Sequence, residues 1–130
     1  MITSLYAALI GILLIILSFN VVIRRAHTKV EIGHGDNDYL LKAIRAQANL
    51  IEYAPISLIL LFLTELNGAS FILLNFSGVV LVVARILHAI GLYRHSGRSF
   101  SRFLGTNLTW LVILTLSIWN LIYGIQELIA

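Results

Sequence analysis

Cysteine is absent from the 130 residues, and proline occurs once. The first absence excludes a disulfide-stapled scaffold. It also leaves the protein no thiol nucleophile or redox pair of its own. Any thiol chemistry must therefore use a bound thiol. Charge is scarce as well: Asp, Glu, Lys and Arg make up 12% of the chain, against roughly 25% in a soluble domain. A single domain of this length with so little charge does not keep its surface wet. Apolar residues fill the gap at 59%. The composition excludes a disordered chain and a coiled coil and predicts an integral membrane protein. Histidine is sparse too, with four residues scattered and no H-x₃-H pair. No metal site is expected.

Cations outnumber acids nine to six. They fall in three clusters at the edges of apolar runs: Arg24, Arg25 and Lys29; Lys42 and Arg45; and Arg85, Arg94, Arg98 and Arg102. That is a topology pattern and not a phosphate-binding face, so no nucleic-acid partner is expected.

A membrane-crossing helix needs about 20 residues, because about 30 Å of hydrocarbon is crossed at about 1.5 Å per residue. Four apolar runs meet that length. They predict one four-span domain over 1–130, with spans at 3–23, 39–66, 71–93 and 106–128. No ten-residue alternating segments of a barrel are seen. The first run has neither a basic segment ahead of it nor a small-x-small site after it, so it reads as a retained helix. Short connections predict an all-α, up-down-up-down four-helix bundle. The connections are Arg24 to Asp38, a tight Asn67–Ser70 turn, and Arg94 to Gly105. The first and third hold the cations. The positive-inside bias puts them in the cytoplasm and both termini on the opposite side.

Several polar residues lie inside these runs. Lys42, Arg45, Asn49 and Glu52 follow each other at i, i+3, i+7 and i+10. At about 100° per residue they occupy an arc of roughly 80°. Tyr53 widens that arc slightly, and Gln47 points elsewhere. Arg85 and His88 stand at i, i+3 in the third span, with Tyr93 and Arg94 at its basic end. Against these cations the same end offers Glu31, Asp36, Asp38 and Glu52. An anionic guest would supply the missing charge. Two plainer readings stand beside this one. Arg45 and Glu52 can be an interhelical ion pair that only holds the bundle, and the loop arginines can serve lipid phosphates and topology alone. Gly33-His34-Gly35-Asp36 reads as a turn or an anion nest. Trp110, Trp119 and Tyr123 read as packing or interface residues. An uncharged first span argues against a proton-coupled four-helix exporter.

The segment Arg45-Ala46-Gln47-Ala48-Asn49-Leu50-Ile51-Glu52-Tyr53-Ala54-Pro55 resembles the R-A-x-x-N-x-x-E-Y-x-P signature of the MAPEG family, the membrane-associated proteins of eicosanoid and glutathione metabolism. Arg24-Arg25-Ala26, Arg85-Ile86-Leu87-His88 and the stretch from Arg98 to Gly105 resemble further family segments in the same order. Together they cover the whole chain, and the likeness is to the short bacterial branch near the microsomal glutathione transferases.

The resemblance implies a homotrimer in a bacterial inner membrane. Glutathione would be a co-substrate bound between subunits near the cytoplasmic face. Arg45, Asn49, Glu52, Tyr53, Arg85, His88 and Tyr93 would bind it. Arg98 would stabilise its thiolate, with Arg94 and Arg102 as competitors for that place. Arg25 would assist the electrophile or its leaving group, the partner being a lipophilic electrophile or lipid. The activity implied is a transferase or peroxidase; a non-catalytic lipid-binding or scaffold member is the alternative. His88 and Leu92 stand where leukotriene-synthesising members carry tyrosines, which argues against that specific reaction.

Overall fold

The structure, a computed structural model, describes residues 1–94, 97 and 99–129. It is four helices: α1 (Ile2–Thr28), α2 (Asp38–Leu66), α3 (Phe71–Arg94) and α4 (Phe100–Ile129). Each is long and apolar enough to cross a membrane. The protein is a multi-pass, all-α membrane bundle, as its composition predicts.

Local chemistry sets the helix ends. Asn37 caps α2, its side chain accepting from the Leu40 N–H at 2.9 Å. Gly68 takes a φ of 73° in the turn after α2, a conformation that glycine adopts without Cβ strain. The hydroxyl of Ser99 accepts from the Arg102 N–H at 3.3 Å and starts α4 at Phe100. The fourth helix therefore begins six residues before the apolar run at 106. The apolar run opens after the last cation, but Arg102 is a good helix former and sits comfortably in a first turn. This places Arg102 on a helix and not in a loop.

Contacts at one end fix the alternation. At the end holding the N-terminus, the Glu65 carboxylate accepts from the backbone N–H groups of Ile2 and Thr3. Tyr6 donates to Asn75 Oδ1 at 2.8 Å, and Asn67 donates to Asn120 at 3.0 Å. Asn120 in turn donates to Thr64 Oγ1 at 2.7 Å. The start of α1, the end of α2, the start of α3 and the end of α4 thus share one side. Helices α2 and α3 are central. Helix α1 packs on both, α4 packs on both, and α1 and α4 do not meet among the described residues.

Leu50, Ala54, Ala89 and Leu92 join Ile10 and Leu17 in one apolar cluster. Leu61, Leu74 and Leu81 join Val112 and Leu116 in another. Small residues let α3 and α4 approach most closely. A Cβ on Gly105 would lie 2.5 Å from the Ala84 carbonyl oxygen and 2.9 Å from the His88 nitrogen. Both are backbone atoms and cannot swing aside. Gly105→Ala should therefore force α4 off α3 and cost about 1–3 kcal/mol, read as a lower midpoint of thermal unfolding in detergent. An unchanged midpoint would show that the close approach is absent.

Candidate functional site

The α2 stripe forms as the spacing predicts. Arg45 Nη1 lies 4.0 Å from Glu52 Oε1, and the two side chains are 55% and 50% exposed. Asn49 Nδ2 reaches Glu52 Oε2 at 3.4 Å. Gln47 points to the other side, donating to Ser18 on α1 at 2.9 Å.

Arg85 joins this stripe from α3. It is 3% exposed. Its Nη1 donates to Asn49 Oδ1 at 2.9 Å, and its Nη2 to the Gly105 carbonyl at 3.1 Å. The Tyr53 ring lies under the guanidinium, 5.3 Å from its centroid. Its Nε is buried and makes no hydrogen bond among the described residues. All these partners are neutral. A buried guanidinium is held here by dipoles and a ring face, and Asn49 links it to the Glu52 carboxylate. The result is a chain of contacts, Arg45–Glu52–Asn49–Arg85–Gly105, that joins α2, α3 and α4.

His88 lies one turn from Arg85 and is also buried. The charges of Arg85, Arg102 and Arg45 all act on its imidazole. Three of the cationic side chains singled out in the sequence therefore converge here. His88 forms part of the wall of a 580 Å³ pocket between α3 and α4, with Arg102, Phe100, Phe103, Asn107 and Trp110. The α4 wall residues Phe100, Phe103, Asn107 and Trp110 repeat at 0, +3, +7 and +10 on one helix face. That periodicity was available in the sequence. A fourth span starting at 106 detaches Phe100 and Phe103 from Trp110 and hides it.

Other candidates lie apart. Tyr93 faces α1, its ring 5.5 Å from the Arg24 guanidinium. Its hydroxyl is buried without a hydrogen-bond partner among the described residues. Arg24 is held by Asn20 at 2.6 Å and by the Tyr39 carbonyl at 3.2 Å. From the last turn of α1, Arg25 Nη1 donates to three carbonyls of the loop that follows, those of Val30, Glu31 and Gly33, at 3.0–3.1 Å. Positive φ at Lys29, Gly33, Gly35 and Asp36 wraps the loop around it. Within one chain Arg25 is the clamp of that loop. Arg94 is exposed at the end of α3. Arg102 Nη1 donates to the Gly97 carbonyl at 2.9 Å. Arg98 lies outside the described residues.

The model of the MAPEG family matches residues 3–122. The chain is 36% identical over 129 residues to "Inner membrane protein YecN" of Escherichia coli strain K12, covering 99% of this chain and 97% of that protein. The same figures hold for the protein of that name in E. coli O6:H1.

Two outcomes follow from the geometry. Asn49→Leu removes the acceptor of a buried charge and should destabilise the protein by about 1.5–3 kcal/mol, measured by unfolding in detergent. Arg25→Ala should leave the bundle intact but expose residues 29–37 to faster proteolytic cleavage. Equal cleavage rates would show that the clamp is idle.

Proposed function

The chain belongs to the MAPEG family, and from that premise we propose that it is a glutathione-dependent membrane transferase or peroxidase acting on lipophilic electrophiles. The observation that carries this reading is the charge arrangement on α2. Counting about 20 residues back from Glu65 brings the far edge of the hydrocarbon near Arg45. Glu52 then sits about 10 Å inside it. Yet Arg45 and Glu52 are half exposed on the single chain. Charges there do not face lipid; a second copy and a polar guest must cover them. A homotrimer with the guest between subunits supplies both.

Glutathione fits the residues by chemistry. It carries two carboxylates, one ammonium and one thiol. Arg45 and Arg85 suit the carboxylates, since guanidinium gives paired hydrogen bonds. Glu52 suits the ammonium, and Asn49 and Tyr53 complete the wall. The thiol is mostly protonated near neutrality, with a free pKa of about 8.5, so a cation beside the sulfur is required. Arg98 has that role by family resemblance, with Arg94 and Arg102 as competitors; of the two that are described, Arg102 faces the pocket. The exposed aromatic wall of that pocket suits a substrate that arrives from the bilayer. The location we propose is a bacterial inner membrane, with the basic loops cytoplasmic and both termini opposite.

One observation favours a second reading, a non-catalytic lipid-binding member. Arg25, which family resemblance assigns to the electrophile, is committed to its loop carbonyls. A single experiment separates the two. Detergent-solubilised protein is titrated with glutathione by calorimetry while the ultraviolet thiolate band is followed, and the titration is repeated on Arg45→Ala. The enzymatic reading expects saturable binding, a thiolate band and about a tenfold or greater loss of affinity in the variant, the equivalent of about 1.4 kcal/mol. Absence of binding at millimolar glutathione refutes it; binding without a thiolate band favours the second reading.

A further inference from the structure

We infer that the recess between the end of α1 and the start of α2 binds the phosphate of an anionic phospholipid. The inference does not rest on the glutathione reading and holds under either function set out above. The recess has a volume of 410 Å³. Its polar wall is Asn20, Arg24, His27 and Thr28 on α1, with Asn37 and Tyr39 at the start of α2. It shares no wall residue with the α3–α4 pocket, and none of the α2 stripe from Arg45 to Glu52 lines it.

Arg24 is set in place here. Its Nε donates to Asn20 Oδ1 at 2.6 Å and its Nη1 to the Tyr39 carbonyl at 3.2 Å. The rings of Tyr93 and Tyr39 have their centroids 5.5 and 5.9 Å from the guanidinium carbon. These contacts orient the group, and all of them are with neutral partners. They spend two of its five N–H donors. Arg24 has no ion-pair partner among the described residues. Lys42 brings a second cation to the rim, its Nζ 5.8 Å from the Tyr39 ring centroid. Asp38 adjoins Tyr39 in sequence but is not part of the wall, and no carboxylate lines the recess. A pre-oriented guanidinium with an unanswered charge suits a phosphate, which it meets with paired hydrogen bonds.

Depth selects a lipid as the source of that phosphate. Thr3 bonds Glu65, so both mark one rim of the hydrocarbon. About 20 residues along α1 from Thr3 the opposite rim falls near Ile23. Arg24 therefore stands at the level of the lipid phosphates. Towards the bilayer centre Ile16, Phe19 and Ile23 repeat at 0, +3 and +7 on one face of α1, each more than half exposed. One lipid molecule places its phosphate on Arg24 and lays an acyl chain along this stripe. A soluble phosphate uses only the polar half of the arrangement. A zwitterionic headgroup brings an ammonium for which the wall has no carboxylate; an anionic headgroup brings none.

The test titrates detergent-solubilised protein with phosphatidylglycerol and with phosphatidylcholine of the same chains, read by native mass spectrometry, on wild type, Arg24→Gln and Lys29→Gln. Glutathione affinity is measured on each. The expected result is saturable binding of phosphatidylglycerol about tenfold or more tighter than phosphatidylcholine, with a loss of about tenfold or more in Arg24→Gln. Lys29→Gln removes an equal charge just past the end of α1 and should leave that affinity nearly unchanged. Equal binding of the two lipids, or equal losses in the two variants, overturns the inference, because general surface charge then explains the binding. Excess inorganic phosphate should not displace the lipid; displacement assigns the recess to a soluble anion and overturns the lipid as its source. Loss of glutathione affinity in Arg24→Gln with lipid binding unchanged assigns the residue to the thiol site and also overturns it. If Arg24→Gln fails to assemble, the exposed His27 carries the test. His27→Gln should weaken phosphatidylglycerol about threefold or more and leave phosphatidylcholine unchanged; unaltered phosphatidylglycerol binding overturns the inference.

Discussion

The bundle turns on one buried cation. Arg85 reaches from α3 to a side-chain carbonyl on α2, to a main-chain carbonyl on α4 and onto the Tyr53 ring. Hydrocarbon offers no water to solvate a guanidinium, so these three partners are the condition on which the charge stays inside at all. The close approach of α4 at Gly105 belongs to the same constraint, because it presents the carbonyl that Arg85 uses. Packing and site electrostatics are thus a single arrangement. The small residue that lets two helices touch also places the acceptor that holds the positive charge beside Asn49 and Glu52.

The polar residues divide into two kinds. Those at the side of the termini, Glu65, Asn67, Asn75 and Asn120, find partners within the chain. Those at the basic side form a ladder that stays electrically open, with three guanidinium groups acting on one histidine and the Arg45–Glu52 pair half exposed. A side that satisfies itself is structural. A side that leaves cations under-neutralised within the bilayer invites a guest and a neighbouring copy. This contrast weighs for a ligand site over a purely architectural ion pair.

Much of this was legible in the sequence, and the reasons differ by element. The spans followed from run length, because lipid imposes a minimum that soluble helices do not face. The Arg45–Asn49–Glu52 face followed from spacing, since a helix leaves no freedom in where i, i+4 and i+7 point. Gln47 was placed on the opposite side by the same rule, and it meets Ser18 there. Tertiary direction was not legible. Tyr93 falls five residues after His88, on another face, and packs with Arg24. Nor does the sequence reveal that the loop after α1 curls back to offer Arg25 three carbonyls. The early start of α4 was missed because a cation was taken as a boundary, although the Ser99 hydroxyl was present to cap the helix.

The pairing of Glu65 with the first turn of α1 bears on how the chain is made. The open N–H groups of Ile2 and Thr3 meet an acceptor more than sixty residues further along. During synthesis the first helix is therefore incomplete when it enters the bilayer, and it acquires its stopper only once the second helix has threaded through in the opposite direction. Asn120 closes on Thr64 and Asn67 later still. Each latch at that rim of the bundle thus waits on a later-made stretch of chain: the α1–α2 latch needs α2, and the Asn120 latch needs all four helices.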